Sequence, residues 1–187
     1  MREEAGIVPI IIRPKRNDAI GMPWVLCLSI AGGKRREKMK ILLAVDGSAH
    51  SDAAAEELAK RPWPPQSEVK VITAVEIPAP VGMEPWAVSP DYFENLEISV
   101  RQAAQAALDS ALLKLKSTTD STLRISSEII QGSPAQVIVD EAESWGADLI
   151  IMGSRGLGMW NRLLLGSVSN AVVHHAKCSV EIVRTPQ

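Results

Sequence analysis

Gly153, Gly156, Gly166 and Ser167 are residues whose types and spacing suit the holding of an anion. Glycine brings backbone N–H groups close to a phosphate with no Cβ in the way. Gly166-Ser167 stands where a helix is expected to begin, so unpaired N–H groups and the positive end of a helix dipole would face the same point. The hydroxyls of Ser167 and Ser169 can donate to phosphate oxygens, and Arg155 and Arg162 add positive charge to the intervening loop. A second turn, Asp46-Gly47-Ser48, brings a carboxylate that can accept from a ribose hydroxyl or hold a metal ion. The alternative reading of the glycines is a turn-rich loop with no ligand.

Such groups act together only if the fold brings them to one edge. Lys40-Ile41-Leu42-Leu43-Ala44-Val45-Asp46 is a nearly continuous apolar run ending in an acid, as a strand buried on both faces requires. Ser48 can cap a helix through about Lys60, which Arg61-Pro62-Trp63-Pro64-Pro65 stops. A second strand is predicted over residues 68–76, and the Pro-rich stretch 77–90 reads as a long loop. Residues 93–116 form a helix, with Leu96, Val100, Ala104, Ala107, Ala111 and Leu115 on one face. A third strand (123–131) leads to a helix capped by Ser133, with Pro134 at its first position and Gln136 completing a capping box. That helix ends at Trp145, with Gly146 as its C-terminal cap. Residues 148–153 make the fourth strand, Ser167 caps a last helix through about Ala176, and Ser179-Val180-Glu181-Ile182-Val183-Arg184 is the fifth strand. This β-α-β-α-β-α-β-α-β alternation predicts one doubly wound α/β domain, a five-stranded parallel sheet with helices on both faces. With the flavodoxin-like strand order 3-2-1-4-5, ligands bind beyond the carboxyl ends of the strands where the order reverses. The Asp46 turn and the Gly153 loop both lie at such ends.

The spacing Gly153, two residues, Gly156, nine residues, Gly166-Ser167 resembles the ATP-binding signature of the universal stress protein family. The run 40–48 is similar to that family's first strand and acidic turn, and 167–184 to its last helix and strand, so the likeness covers about residues 39–187. The resemblance implies a Rossmann-like fold of the adenine nucleotide alpha hydrolase-like kind and a ligand of ATP, or ADP or AMP, with Mg2+ or Mn2+. It implies that Asp46 meets the ribose or the metal-bound nucleotide and that the backbone near Ala74 meets the adenine. Gly153, Gly156, Gly166, Ser167, Val168 and Ser169 would hold the phosphates, with Ser154 and Arg155 in the same loop. It also implies a regulatory, stress-response role, with at most slow ATP hydrolysis. The rivals are a metal-dependent nucleotide hydrolase or transferase using Asp46, and a nucleotide-free dimeric interaction module. The chain has neither the Gly-Lys-Ser/Thr of a phosphate-binding P-loop nor a G-x-G-x-x-G after its first strand.

Composition narrows the partners. Across 187 residues the formal net charge is −2, which gives no electrostatic reason to expect nucleic acid or a membrane surface. No apolar run approaches the ~18 residues of a membrane span. Two distant cysteines, Cys27 and Cys178, make no disulfide framework and point to a reducing, cytoplasmic setting. Residues 1–38, rich in Pro and Gly and ending in Lys34-Arg35-Arg36-Glu37-Lys38, read as a loosely attached arm ahead of the domain at 39–187, or as sequence before a natural start at Met39; the alternative is that the arm supplies a strand.

His174 and His175, neighbours on a helix, point about 100° apart and cannot chelate one metal together. Trp145 is expected to pack into the core, and Trp160 and Trp86 to lie in loops. The fifth strand lies at a sheet edge, and a homodimer is expected along it by antiparallel pairing with a second copy, as the family resemblance also implies. The alternative is that Ile10-Ile11-Ile12 folds over that edge and leaves a monomer.

Overall fold

The computed structural model describes residues 10–13, 25–26, 38–77, 90–118, 123–157 and 165–184. Two short strands, β1 (Ile10–Arg13) and β2 (Val25–Leu26), precede β3 (Lys40–Ala44), α1 (Ala49–Lys60), β4 (Glu68–Val75), α2 (Pro90–Thr118), β5 (Arg124–Gln131), α3 (Pro134–Trp145), β6 (Leu149–Gly153), α4 (Ser167–His175) and β7 (Ser179–Val183). The sheet order is β2-β1-β7-β6-β3-β4-β5. Its last five strands are parallel and are the predicted 3-2-1-4-5 array read from the other side.

The apolar run at 41–44 is continuous because β3 is covered twice. Ile41 and Leu43 face α1 and α2, and Leu42 and Ala44 face α3 and α4. β6 divides the same way, Leu149 and Ile151 to one side, Ile150 and Met152 to the other. β5 closes one end with exposed Arg124, Ser126, Ser127 and Glu128, a polar edge of the kind that discourages further pairing. Trp145 is half-buried against the α3–α4 core, and the Lys40 ammonium lies 5.3 Å from its ring centre.

Helix starts follow local chemistry with two departures. Ser48 caps α1, accepting from Ser51 N at 3.2 Å. Ser133 holds the N-cap place of α3 with Pro134 behind it, but its side chain makes no capping bond. Gln136 does not turn back to complete the box; its Nε2 donates to Asp140 Oδ1 at 2.7 Å, one turn along the exposed face. At α4 the cap is Gly166, and Ser167 is the first helical residue. Gly146 ends α3 at φ 70°, the left-handed geometry that glycine tolerates at a helix end.

The largest departure is at the β7 edge. Ile10, Ile11 and Ile12 pair antiparallel with Ile182, Glu181 and Val180. The row of N–H and C=O groups that a dimer along Ser179-Val180-Glu181-Ile182-Val183-Arg184 needs is therefore taken within the chain. On the inner side of this strand, Glu181 is fully buried, and Arg61 at the end of α1 meets both its oxygens at 2.5 and 2.7 Å. The same guanidinium holds Glu57 Oε1 at 2.8 Å. Burial pulls the Arg61 pKa down, but the bonds to Glu181 and Glu57 outweigh it and raise it.

The Pro-rich stretch 78–89 with Trp86, and 158–164 with Trp160 and Arg162, lie outside the described residues, as does most of 1–38.

Candidate functional site

A cavity of ≈ 340 Å³ opens at the carboxyl ends of β3, β4 and β6, where the strand order reverses. That volume is near the lower end of ligand pockets, about 300–1,000 Å³. Asp46, Ala74, Gly153, Arg155, Gly156, Gly166, Ser167, Val168 and Ser169 all line it. Ser154, the other residue singled out from the sequence, does not. It is buried, and its carbonyl accepts from Gly166 N at 2.9 Å and Ser169 Oγ at 3.0 Å, tying the two ends of the glycine loop together. Among the described residues its Oγ has no hydrogen-bond partner.

The glycines divide into two kinds. A Cβ on Gly153 would lie 2.7 Å from the carbonyl carbon of His50 and 2.8 Å from Ser51 N. Gly153 is there so that β6 can touch the first turn of α1, and backbone cannot move aside as a side chain can. Gly153→Ala is expected to lower stability by about 1–3 kcal/mol, as overpacking does, measured by urea denaturation; a midpoint equal to wild type would contradict the contact. A Cβ on Gly156 would lie 2.6 Å from Asp46 Oδ2, and one on Gly166 would lie 3.4 Å from Arg155 Cα, Ser154 O and Ser169 Oγ. These two set how closely the loop, the acidic turn and α4 approach.

Asp46 is exposed at the mouth, and its Oδ1 accepts from Ser48 N at 3.0 Å and Ser48 Oγ at 2.6 Å. Ser48 Oγ also lies 3.3 Å from Arg155 O, so one serine touches the acidic turn, the cap of α1 and the glycine loop. Opposite, α4 begins at Gly166, and the N–H groups of Ser167, Val168 and Ser169 lack intrahelical partners at its first turn. Ser167 is exposed there. Ser169 differs from the sequence reading: its buried hydroxyl lies 3.0 Å from both Ser154 O and Gly166 O. It braces the loop.

The apolar walls were not singled out from the sequence. Ile72, Met152, Pro134 and Ile138 line the cavity. Their signal was present in the rule that places ligands at strand ends, because Pro134 and Ile138 begin the helix after the third parallel strand. His50 sits behind the glycine loop. Burial lowers its pKa below the usual 6.5, the positive charge of Arg155 adds to this, Asp46 opposes it, and Arg184 lowers it further. The arrangement is an apolar slot joined to a helix N-terminus, with a carboxylate at the joint. Among the described residues no group of three or more His, Cys, Asp or Glu side chains could hold a metal ion.

A model of the universal stress protein family matches residues 38–184. A universal stress protein from Methanocaldococcus jannaschii is 31% identical over 164 residues, 88% of this chain and 92% of that protein. One from Thermus aquaticus is 35% identical over 145 residues, 77% of this chain and 97% of that one. Among solved structures, a universal stress protein from Lactobacillus plantarum matches with a TM-score of 0.62 at 27% identity, covering 78% of this chain and 97% of that one.

Proposed function

This chain belongs to the universal stress protein family, and from that premise we propose that it binds ATP, or a close adenine nucleotide, in the cavity between Asp46 and the first turn of α4. The observation that carries the reading is the junction of an apolar slot with a helix N-terminus at the reversal of strand order. The base would lie against Ile72, Ala74 and Met152, and the phosphates would meet the N–H groups of Ser167, Val168 and Ser169. Relatives of the same fold support it. One universal stress protein structure holds cAMP, at a TM-score of 0.52, and one from Arabidopsis thaliana holds AMP, at 0.54.

Asp46 is the carboxylate at the mouth, so a ribose hydroxyl donating to Oδ2 fits its geometry while Ser48 holds Oδ1. With one carboxylate present, Mg2+ or Mn2+ would take Asp46 as its protein ligand and draw its other oxygens from phosphates and water, as small hard cations do. Such an ion would neutralise phosphate charge beside the helix end. In this reading the Asp46 carboxylate is engaged by Ser48 through Oδ1 and by the ribose or the ion through Oδ2. We therefore read the protein as a nucleotide-dependent regulator rather than a fast hydrolase. Phosphate release at saturating ATP is expected well below the ~1 per second of ordinary enzymes; turnover at or above that rate would favour the hydrolase reading.

Ser167→Ala is expected to weaken ATP binding roughly 10- to 150-fold, the effect of losing one hydrogen bond to a charged group, about 1.5–3 kcal/mol. Calorimetric titration checks it, and an unchanged affinity would remove the hydroxyl from the site. We place the protein in the cytoplasm on its cysteine usage. Burial pushes the Cys178 thiol up to about 11, so it stays protonated at neutral pH. Among the described residues no helix is long and apolar enough to cross a membrane.

A further inference from the structure

We propose that Leu157 covers the nucleoside half of the bound nucleotide, an apolar contact that slows its escape from the cavity. This rests on the nucleotide reading above and adds to it a residue outside the glycine and serine pattern. Four large apolar side chains are exposed among the described residues: Tyr92, Ile98, Leu113 and Leu157. The first three lie on α2, and single exposed apolar residues are ordinary on a protein surface. Leu157 differs in two ways. It is the most exposed of the four, at 79%, and of the four it alone lines the cavity. Ile72, Ile138 and Met152, which line the same cavity, are closed off from water at 0%, 4% and 6% exposure. Leu157 is the apolar lining residue that stands in water, so a ligand with apolar surface of its own is what would cover it.

Its place follows from the two residues before it. Ser48 Oγ lies 3.3 Å from Arg155 O. A Cβ on Gly156 would lie 2.6 Å from Asp46 Oδ2, so the backbone here runs past the carboxylate that the ribose is placed to meet. Leu157 follows directly, beside the sugar position. Phosphate oxygens and a hydrated cation gain nothing from an isobutyl group there. The base and the carbon edge of a ribose do, because apolar surface on both partners leaves water together. An exposed leucine on an apolar slot therefore favours a ligand that carries a nucleoside over a free polyphosphate.

The test uses the full chain as L157S and as L157M, titrated calorimetrically with ATP, ADP and AMP, with ATP release followed after a chase. L157S is expected to bind all three about tenfold more weakly, the lower end of what covering a leucine side chain contributes. The change should lie in the dissociation rate, as for most contacts in a bound complex. L157M keeps the apolar surface and is expected to bind like wild type. An equal factor across the three nucleotides marks a contact with the part they share. L157S binding as tightly as wild type would overturn the proposal and leave the nucleotide site standing, whereas no binding by wild type would overturn both. A loss confined to ATP and ADP would put Leu157 at the outer phosphates and overturn it too. The urea midpoint of L157S should match wild type, since an exposed side chain carries little core packing; a lowered midpoint would make Leu157 a structural residue and overturn the proposal.

Discussion

Gly166→Val is expected to leave the chain folded and to weaken ATP binding by at least about 100-fold, or roughly 2.7 kcal/mol. Residue 166 is the N-cap of α4 at φ −60° and ψ 156°, extended backbone that valine adopts without strain. The fold therefore loses the difference between a glycine and a β-branched cap, about 1 kcal/mol, and about 1–3 kcal/mol more where the added carbons crowd the loop. The first added carbon already reaches contact distance, 3.4 Å from Arg155 Cα, Ser154 O and Ser169 Oγ. The two further carbons of valine must push the loop at 154–156 away from the first turn of α4. That separation sets where the N–H groups of Ser167, Val168 and Ser169 meet a phosphate. Gly166→Ala adds only the carbon that fits and should be much milder. Calorimetry with ATP reads the affinity and circular dichroism reads the fold. A valine variant that binds as tightly as wild type would show that the loop does not hold the phosphates.

Arg61→Ala is expected to lower stability by about 3–5 kcal/mol, because it leaves a fully buried carboxylate with no counter-charge. Glu181 sits in β7 on the face that carries α1, and Arg61 reaches it from the end of α1. The pair is not a surface ion pair, for which ~1 kcal/mol or less is usual. Adding Glu181→Gln to the Arg61→Ala chain should recover a large part of the loss, since the amide needs no counter-charge. Urea denaturation of the two single variants and the double variant measures the coupling. If the arginine variant lost less than about 1 kcal/mol, water would have to reach Glu181, against its burial here.

The sequence carried the sheet because the decisive signals are local. Continuous apolar runs at 41–45 and 149–152 mark strands covered on both faces, and the caps at Ser48 and Gly146 mark helix ends. The acidic turn and the glycine spacing likewise pointed to Asp46, Gly153, Gly156, Gly166 and Ser167, which line one cavity. What stayed hidden depends on contacts distant along the chain. Ile10 pairs with Ile182; that Ile10-Ile11-Ile12 could fold over this edge was one of two readings of the sequence, and no local pattern chose it over a second copy. Gly153 reads as a phosphate glycine, but its contact with His50 and Ser51 exists only once α1 lies against β6. Ser169 reads as a ligand hydroxyl, yet the loop carbonyls of Ser154 and Gly166 claim it first. Gln136 satisfies a capping-box pattern and finds a nearer partner in Asp140.

Mass spectrometry of the nucleotide released when the freshly purified protein is denatured, paired with calorimetric titration of the nucleotide-free chain, reads adenine-nucleotide binding in this cavity directly. An adenine nucleotide is expected in the released fraction, with saturable ATP binding at one site per chain, lost in Gly166→Val. No released nucleotide, together with no heat from ATP, ADP or AMP at millimolar concentration, would contradict it.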